Sequence, residues 1–457
     1  KNGSENALVE IGAASREAVD MMLEKYKTGD NFMKECLIVI FGNIGGPASE
    51  TIAELSAAIK GNNNSLAIAA AESLCKINSS SEGILKEIIG MASSSDLGKK
   101  IAALNCLGKM RVNYKDISGC LTNAFGDKIV LVRDAAVRSY IKVAYQSKDS
   151  GDAIGKFLNS NNRYFRESAA KVAGFLLSSN QKDYVLELTA LLKDKEKAVR
   201  IAAVESLGNL GMRSAKAMPE LVKLLADNEQ GVQFAAKNTI EKIGMLSKTA
   251  SKLLILFIDD ENLHISTAVQ NSLIRIGQKA IQPLLDTLKE GNNKIKAKVA
   301  NILGKIGGEK GSPLMKETAI ALINVIKNED AKVRAAAATA LGNIGIEYKE
   351  SIMALTESLR DKDDEVRLEA VDSLGKIGSG AKSAAPFLAQ TLKDKNNKVA
   401  VHSRDSIIKL GNDAVPYLAE ALKDEDSVVR SYASDALQKI GTTDAYEALK
   451  KYKSGGK

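Results

Sequence analysis

Leu341-Gly342-Asn343-Ile344-Gly345 and Leu374-Gly375-Lys376-Ile377-Gly378 are two copies of one pattern, and they begin thirty-three residues apart. Sliding the pattern outward gives fourteen first positions: Leu8, Phe41, Leu74, Leu107, Tyr140, Ala173, Leu207, Ile240, Leu273, Leu303, Leu341, Leu374, Ile407 and Leu437. Nine of the thirteen intervals are 33 residues and the others run from 30 to 38, so a register is kept along the chain. Such self-similarity marks an array of stacked supersecondary units.

Each column of the pattern has a physical reason. The fourth position, from Ile11 to Ile440, is apolar throughout and reads as the last core residue of a helix. The fifth is Gly in ten copies, among them Gly45, Gly211, Gly345 and Gly441, and is expected to take αL geometry at a helix C-terminus. The residue before the first position is mostly small (Ser73, Ser139, Ser206, Thr239, Ala340, Ser373), which lets neighbouring helices approach. Another helix precedes each of these, with Pro219, Pro283, Pro386 and Pro416 expected near its start, where a missing N–H does no harm.

The turn between the two helices carries the resemblance. In Lys193-Asp194-Lys195-Glu196-Lys197-Ala198-Val199-Arg200 an Asp precedes an Arg by six residues. Asp127 with Arg133, Asp361 with Arg367, and Asp424 with Arg430 repeat it. This resembles the HEAT repeat turn, and the short period resembles the class first noted in phycobilisome lyases. The resemblance covers essentially the whole chain. It implies an all-α solenoid of about fourteen stacked helix-pair repeats, running as one array over 1–457, with hydrogen-bonded Asp and Arg ladders between successive turns. The pattern degenerates over 78–177, where fifth-position Gly is lost, and 451–457 read as a flexible tail.

Composition narrows the function. Hydrophobic residues make up 45% of the chain, yet aromatics only 4% with no Trp, so the cores are Ala, Leu, Ile and Val. No run of about 18 apolar residues exists, so no membrane span is expected. His264 and His402 are the only histidines and neither precedes Glu, a departure from the HEAT-like di-iron hydroxylases. Without Trp the chain departs from the HEAT-like DNA glycosylases too. No phosphate-binding loop or nucleophile elbow occurs, and no C-x-x-C spacing links Cys36, Cys75, Cys106 and Cys120. No enzyme, cofactor or metal is therefore expected. Cys75 takes a Gly column and Cys106 a small-residue column, so both read as free, buried packing thiols, with a disulfide left open for an exported chain. The chain opens on Lys1, as a mature or trimmed form would; cytoplasm is the default expectation, and export with a removed signal peptide stays open.

Net charge is +8, and residues 101–200 supply +7 of it, which suits acidic partners. The ladder arginines read as structural. The third column is basic in nine copies, and Glu72–Lys76, Asp372–Lys376, Asp405–Lys409 and Asp435–Lys439 are expected as local ion pairs. Elsewhere the residue one turn earlier is Asn: Asn105 with Lys109, Asn238 with Lys242, Asn271 with Arg275, and Asn301 with Lys305. If second helices line a concave groove, as the resemblance implies, this row of Asn and cations is the candidate partner-binding site. A secondary basic and aromatic patch holds Arg138, Lys142, Tyr145, Arg163, Tyr164 and Lys171. Bases interleaved with rings suit single-stranded nucleic acid, but several of these rings fall in core columns and a protein contact is favoured.

The expected function is a non-catalytic protein–protein scaffold, an assembly subunit that organises a larger complex or filament. Its partners are other protein subunits with acidic surfaces, or copies of itself joined through the solenoid ends. The rivals are an accessory protein of the bilin-lyase type and a nucleic-acid binder using the basic groove.

Overall fold

Between Ala331 and Leu410 the pattern becomes three helices of equal length, Ala331–Ile344, Asp364–Ile377 and Asn397–Leu410. Asp330, Asp363 and Asn396 cap them, each accepting from backbone N–H groups of the first turn. Their buried faces hold Ala337, Ala338, Leu341, Val371, Leu374 and Ile407. These second helices pack on one another in sequence order, and each also packs on the helix that follows or precedes it in its own repeat. The computed structural model describes residues 2–14, 16–77, 80–144, 150–176, 183–307, 312–345 and 348–455, and among these every regular element is helical. The fold is an all-α solenoid.

The array divides into two compact units, Lys1–Glu220 with Asp227–Thr239, and Leu221–Ala226 with Ile240–Lys457. Within each, one contact recurs. The second-position Gly of one repeat faces the small residue before the first position of the next. A Cβ on Gly42 would lie 2.8 Å from the Ser73 Cβ, one on Gly108 2.7 Å from the Ser139 Cβ, and one on Gly375 2.7 Å from the Ser406 Cβ. The small residue also ties the helices together. Ser73 donates to the Ile38 carbonyl at 2.8 Å, Ser206 to Ala170 at 2.7 Å, and Ser373 to Ala338 at 2.8 Å. A larger residue in either column would push the helices apart and strip these buried bonds.

The fifth-position glycines differ from expectation in detail. Eight have positive φ, but only Gly345 and Gly441 are αL. Gly45, Gly211, Gly277, Gly307, Gly378 and Gly411 combine φ between 57° and 75° with ψ between −126° and −151°. That region is open to Gly and closed to side chains. It swings the chain at once into the next segment, often a 3₁₀ turn such as Gly378–Ala384. We expect Gly378→Asn to destabilise by about 1–3 kcal/mol, while Gly345→Asn, in αL, costs a fraction of that; paired urea titrations compare them, and equal costs would contradict the assignment. Gly12 and Gly244 lie inside continuing helices, where a Cβ would meet Ile44 and Ile276 of the next repeat.

Other departures are local. Pro283 sits inside the helix Gln278–Glu290 and not at its start, because that helix begins directly after Gly277. In the degenerate segment the helices Leu97–Leu107 and Arg163–Ala173 stop at the first position of the pattern, three residues early. At the chain end, residues 451–455 continue the helix Thr443–Gly455, whose Ala445 and Leu449 are buried; 456 and 457 lie outside the described residues. Residues 145–149, including Tyr145, lie outside the described residues.

Candidate interaction surface

The Asp and Arg columns interlock across repeats. Each ladder Arg uses one nitrogen on its own turn, and Arg166, Arg334 and Arg367 use the other two on the next turn. Arg367 donates to the Asp361 and Lys362 carbonyls at 2.9 and 3.4 Å, and to both oxygens of Asp394 at 2.7 and 2.9 Å. Arg334 joins Asp361 and Arg166 joins Asp194 in the same manner, while Arg200 reaches Asp227 through a single bond at 2.8 Å. Where an Asp stands six residues before the Arg, it lends its carbonyl to its own turn and its carboxylate to the preceding repeat; Ser160 and Asn328 lend only the carbonyl, to Arg166 and Arg334. Arg133 holds the Asp127 carbonyl and turns to Glu167, because Ser160 stands where the next Asp would be; Asp127 itself takes Lys100. Arg430 bonds the Asp424 and Glu425 carbonyls, while the Asp424 carboxylate pairs with Lys393. Burial would raise the Asp394 carboxyl, but the Arg367 hydrogen bonds and the Asn396 N–H outweigh it and hold it below the ordinary carboxylate range. Asp194 and Asp361 are lowered for the same reasons. These groups are committed to the fold.

The third column behaves differently from the local pairing expected. Lys76 reaches Asn43 at 2.9 Å and Lys376 reaches Asn343 at 3.0 Å, each the same column one repeat earlier, and not Glu72 or Asp372. Side-by-side helices bring like columns together, so the neighbouring repeat outcompetes the next turn. Asp372 is taken by His402 at 2.8 Å and Asp405 by Arg404 at 2.7 Å; only Asp435–Lys439 forms as an i,i+4 pair, at 3.0 Å.

The Asn and cation row lies on successive second helices. Asn238 and Lys242 are on Gln230–Leu246, Asn271 and Arg275 on Leu263–Ile276, and Asn301 and Lys305 on Asn293–Ile306, all six exposed. Arg275 reaches Glu241 at 3.5 Å, an acid the sequence pattern did not single out. Asn271, Asn301 and Lys305 make no side-chain bond among the described residues, so the fold does not use them. Asn238 falls with Asn105 and Lys109 in the first unit and the other five in the second; Asn105 is half-buried and Lys109 exposed.

The basic and aromatic patch is largely spent on itself. Arg163 pairs with Glu196 at 2.8 Å, and Lys171 with Asp134 and Glu167 at 3.0 and 2.9 Å. Tyr164 lies between the Arg133 and Arg163 guanidinium groups, 4.6 and 4.8 Å from its ring centre. Tyr140 is buried with its hydroxyl 2.6 Å from that of Tyr114, and Phe165 stacks on Phe157 at 5.1 Å. Arg138 and Lys142 remain exposed. Tyr140, Tyr164 and Phe165 are thus each engaged within the fold.

Near the N-terminal end Leu8, Ile11, Met21, Phe32, Met33 and Ile40 line an apolar cleft of about 570 Å³. A second cleft of about 960 Å³ opens among Glu82, Lys86, Arg111 and Asp116, in the segment where the fifth-position Gly is missing. Among the described residues no group of His, Cys, Asp and Glu is arranged to hold a metal, and no helix is long and apolar enough to cross a membrane.

Helix pairs stacked through Gly–Ser seams and an Arg–Asp ladder define an α-solenoid. The family model of HEAT repeats matches residues 151–241, 185–274 and 319–408, and the chain is a HEAT-like repeat protein. No curated protein matches it. Among solved structures it is similar to the karyopherin Kap121p bound to the extreme C-terminus of the protein phosphatase Cdc14p, at 14% identity and a TM-score of 0.48, covering 93% of this chain and 54% of that one. It is similar also to Kap121p bound to Ste12p, at 15% identity and a TM-score of 0.49, covering 96% and 55%. A Kap95p structure concerned with RanGDP matches at 12% identity and a TM-score of 0.46, covering 98% and 75%. The chain spans about half the length of the Kap121p structures it matches.

Proposed function

We propose that the protein is a non-catalytic scaffold that holds acidic segments of other proteins, as a subunit of a larger assembly. The observation that carries this reading is the set Asn271, Arg275, Asn301 and Lys305 on two packed second helices. All four are exposed, and three make no bond within the fold. An Asn amide offers two donors and a carbonyl, and a Lys or Arg beside it offers charge, so each pair can take one carboxylate. Lys242 extends the row by one repeat. A chain that ties its ladder arginines into the fold, yet repeats this exposed pair in register, presents a surface that suits an acidic ligand.

The triple variant Lys242→Glu, Arg275→Glu and Lys305→Glu is expected to abolish capture of a fluorescent poly-glutamate probe at low salt, with helicity unchanged by circular dichroism. Binding should weaken with added salt in the parent chain. Undiminished capture by the variant would remove the basis of the reading, and preferential binding of single-stranded DNA over the acidic peptide would replace it with the nucleic-acid alternative.

A further inference from the structure

We propose that Cys75 and Cys106 are the two halves of a disulfide that joins consecutive repeats. The seam geometry carries the argument. Cys75 occupies the second position of its repeat, on the helix Asn64–Ile77, and Cys106 the position before the first in the next repeat, on Leu97–Leu107. These are the two columns that meet at the closest approach of neighbouring second helices. On either side of the pair the same columns hold Gly42 facing Ser73 and Gly108 facing Ser139. A Cβ added to each Gly would stand 2.8 and 2.7 Å from the Ser Cβ. A disulfide needs about 3.5–4.5 Å between Cβ atoms. With a Cβ on both sides, the intervening seam cannot close to the Gly–Ser approach and stands wider, toward that range. The Cys106 thiol lies within hydrogen-bonding reach of Cys75, and both side chains are buried, at 0% and 5% exposure.

The other two cysteines sit in no such column. Cys36 lines the apolar cleft near the N-terminal end, and Cys120 is on the helix Tyr114–Ala124; both are half-buried. Pairing is therefore selective.

The chemistry needs an oxidant, and a small-molecule disulfide serves. The thiolate of one Cys attacks a sulfur of the oxidant, forming a mixed disulfide and releasing one thiol. The second Cys, as thiolate, attacks the protein-side sulfur of that bond and releases the second thiol. Two electrons pass from the protein to the oxidant, and the two Cys protons end on the released thiols. Hydrogen bonding to Cys75 and burial push the Cys106 thiol well above its ordinary range, which keeps it protonated and slow once the seam is closed. Exchange therefore takes place while the seam is open, as the array folds, and the closed seam then shields the bond from reductant.

The full chain, reduced and unfolded in denaturant, is refolded in a mixture of reduced and oxidised glutathione. It is then quenched in acid and alkylated under denaturing conditions. Peptide mapping is expected to show two of the four thiols lost, Cys75 and Cys106 joined, and Cys36 and Cys120 alkylated. Cys75→Ser and Cys106→Ser, each with a side chain those columns hold elsewhere, should leave three alkylated thiols. All four thiols alkylated in the parent, glutathione retained on Cys75 or Cys106, or a bond to Cys36 or Cys120 would overturn the assignment.

Discussion

Arg367→Ala is expected to cost about 3–5 kcal/mol of folding stability, the range for stranding one member of a buried ion pair. Arg367 and Asp394 are 6% and 8% exposed, and the guanidinium makes four hydrogen bonds that bridge two turns. Removing it strips the Asp361 and Lys362 carbonyls of their donor and leaves the Asp394 carboxylate buried beside the Asn396 N–H alone. Urea unfolding, followed with amide exchange over 361–400, would measure the loss. A change under about 1 kcal/mol, the range of exposed pairs, would show that solvent already screens the ladder. The same variant should alter the acid limb. A carboxyl depressed in the folded state contributes stability that is complete above its unfolded pKa, about 3.9 for Asp. That stability is lost as pH falls through the lower folded-state value. Asp194, Asp361 and Asp394 all contribute in this sense, and Arg367→Ala removes the share of Asp394.

Gly342→Leu should cost about 3 kcal/mol or more, at or beyond the upper end of ordinary overpacking. The first added carbon alone would stand 2.5 Å from the Ser373 Cβ and 2.7 Å from its Cα. The second of these is backbone, so no rotamer change relieves it. Separation of the helices would also lengthen the Ser373 bond to the Ala338 carbonyl, now 2.8 Å. Gly90→Ala is the control. Gly90 is helical, exposed and has nothing within 4 Å of an added Cβ, so the substitution should be neutral or stabilise by about 0.5 kcal/mol. Chemical denaturation of both proteins tests the pair, and a mild Gly342→Leu would mean that the seams are looser than the contacts indicate.

Much of the fold was legible because repetition makes each column a small experiment replicated along the chain. The fourth-position core residue, the small residue at the seam and the ladder Arg each recur with one physical cause. What escaped the reading lay between columns. Lys76 and Lys376 prefer an Asn one repeat away to an acid one turn away, and spacing along one helix says nothing about its neighbour. The acid that engages Arg275 belongs to the preceding repeat, so the candidate row is partly committed in a manner no single segment displays. The apolar cleft near Phe32 draws its lining from three helices, so its outline depended on their packing.

The amino-acid order alone determined that this protein is a stack of helix pairs, because hydrophobic anchors at a fixed interval can be buried only by copies of themselves. It also marked where eight of the second helices end, at glycines with positive φ, six of them in a geometry that side chains do not reach. Tertiary structure decided which cations are spent and which face outward, because electrostatic partners are chosen by proximity in space. It decided too that Cys75 and Cys106 meet, since only the packed seam sets two columns thirty-one residues apart against each other.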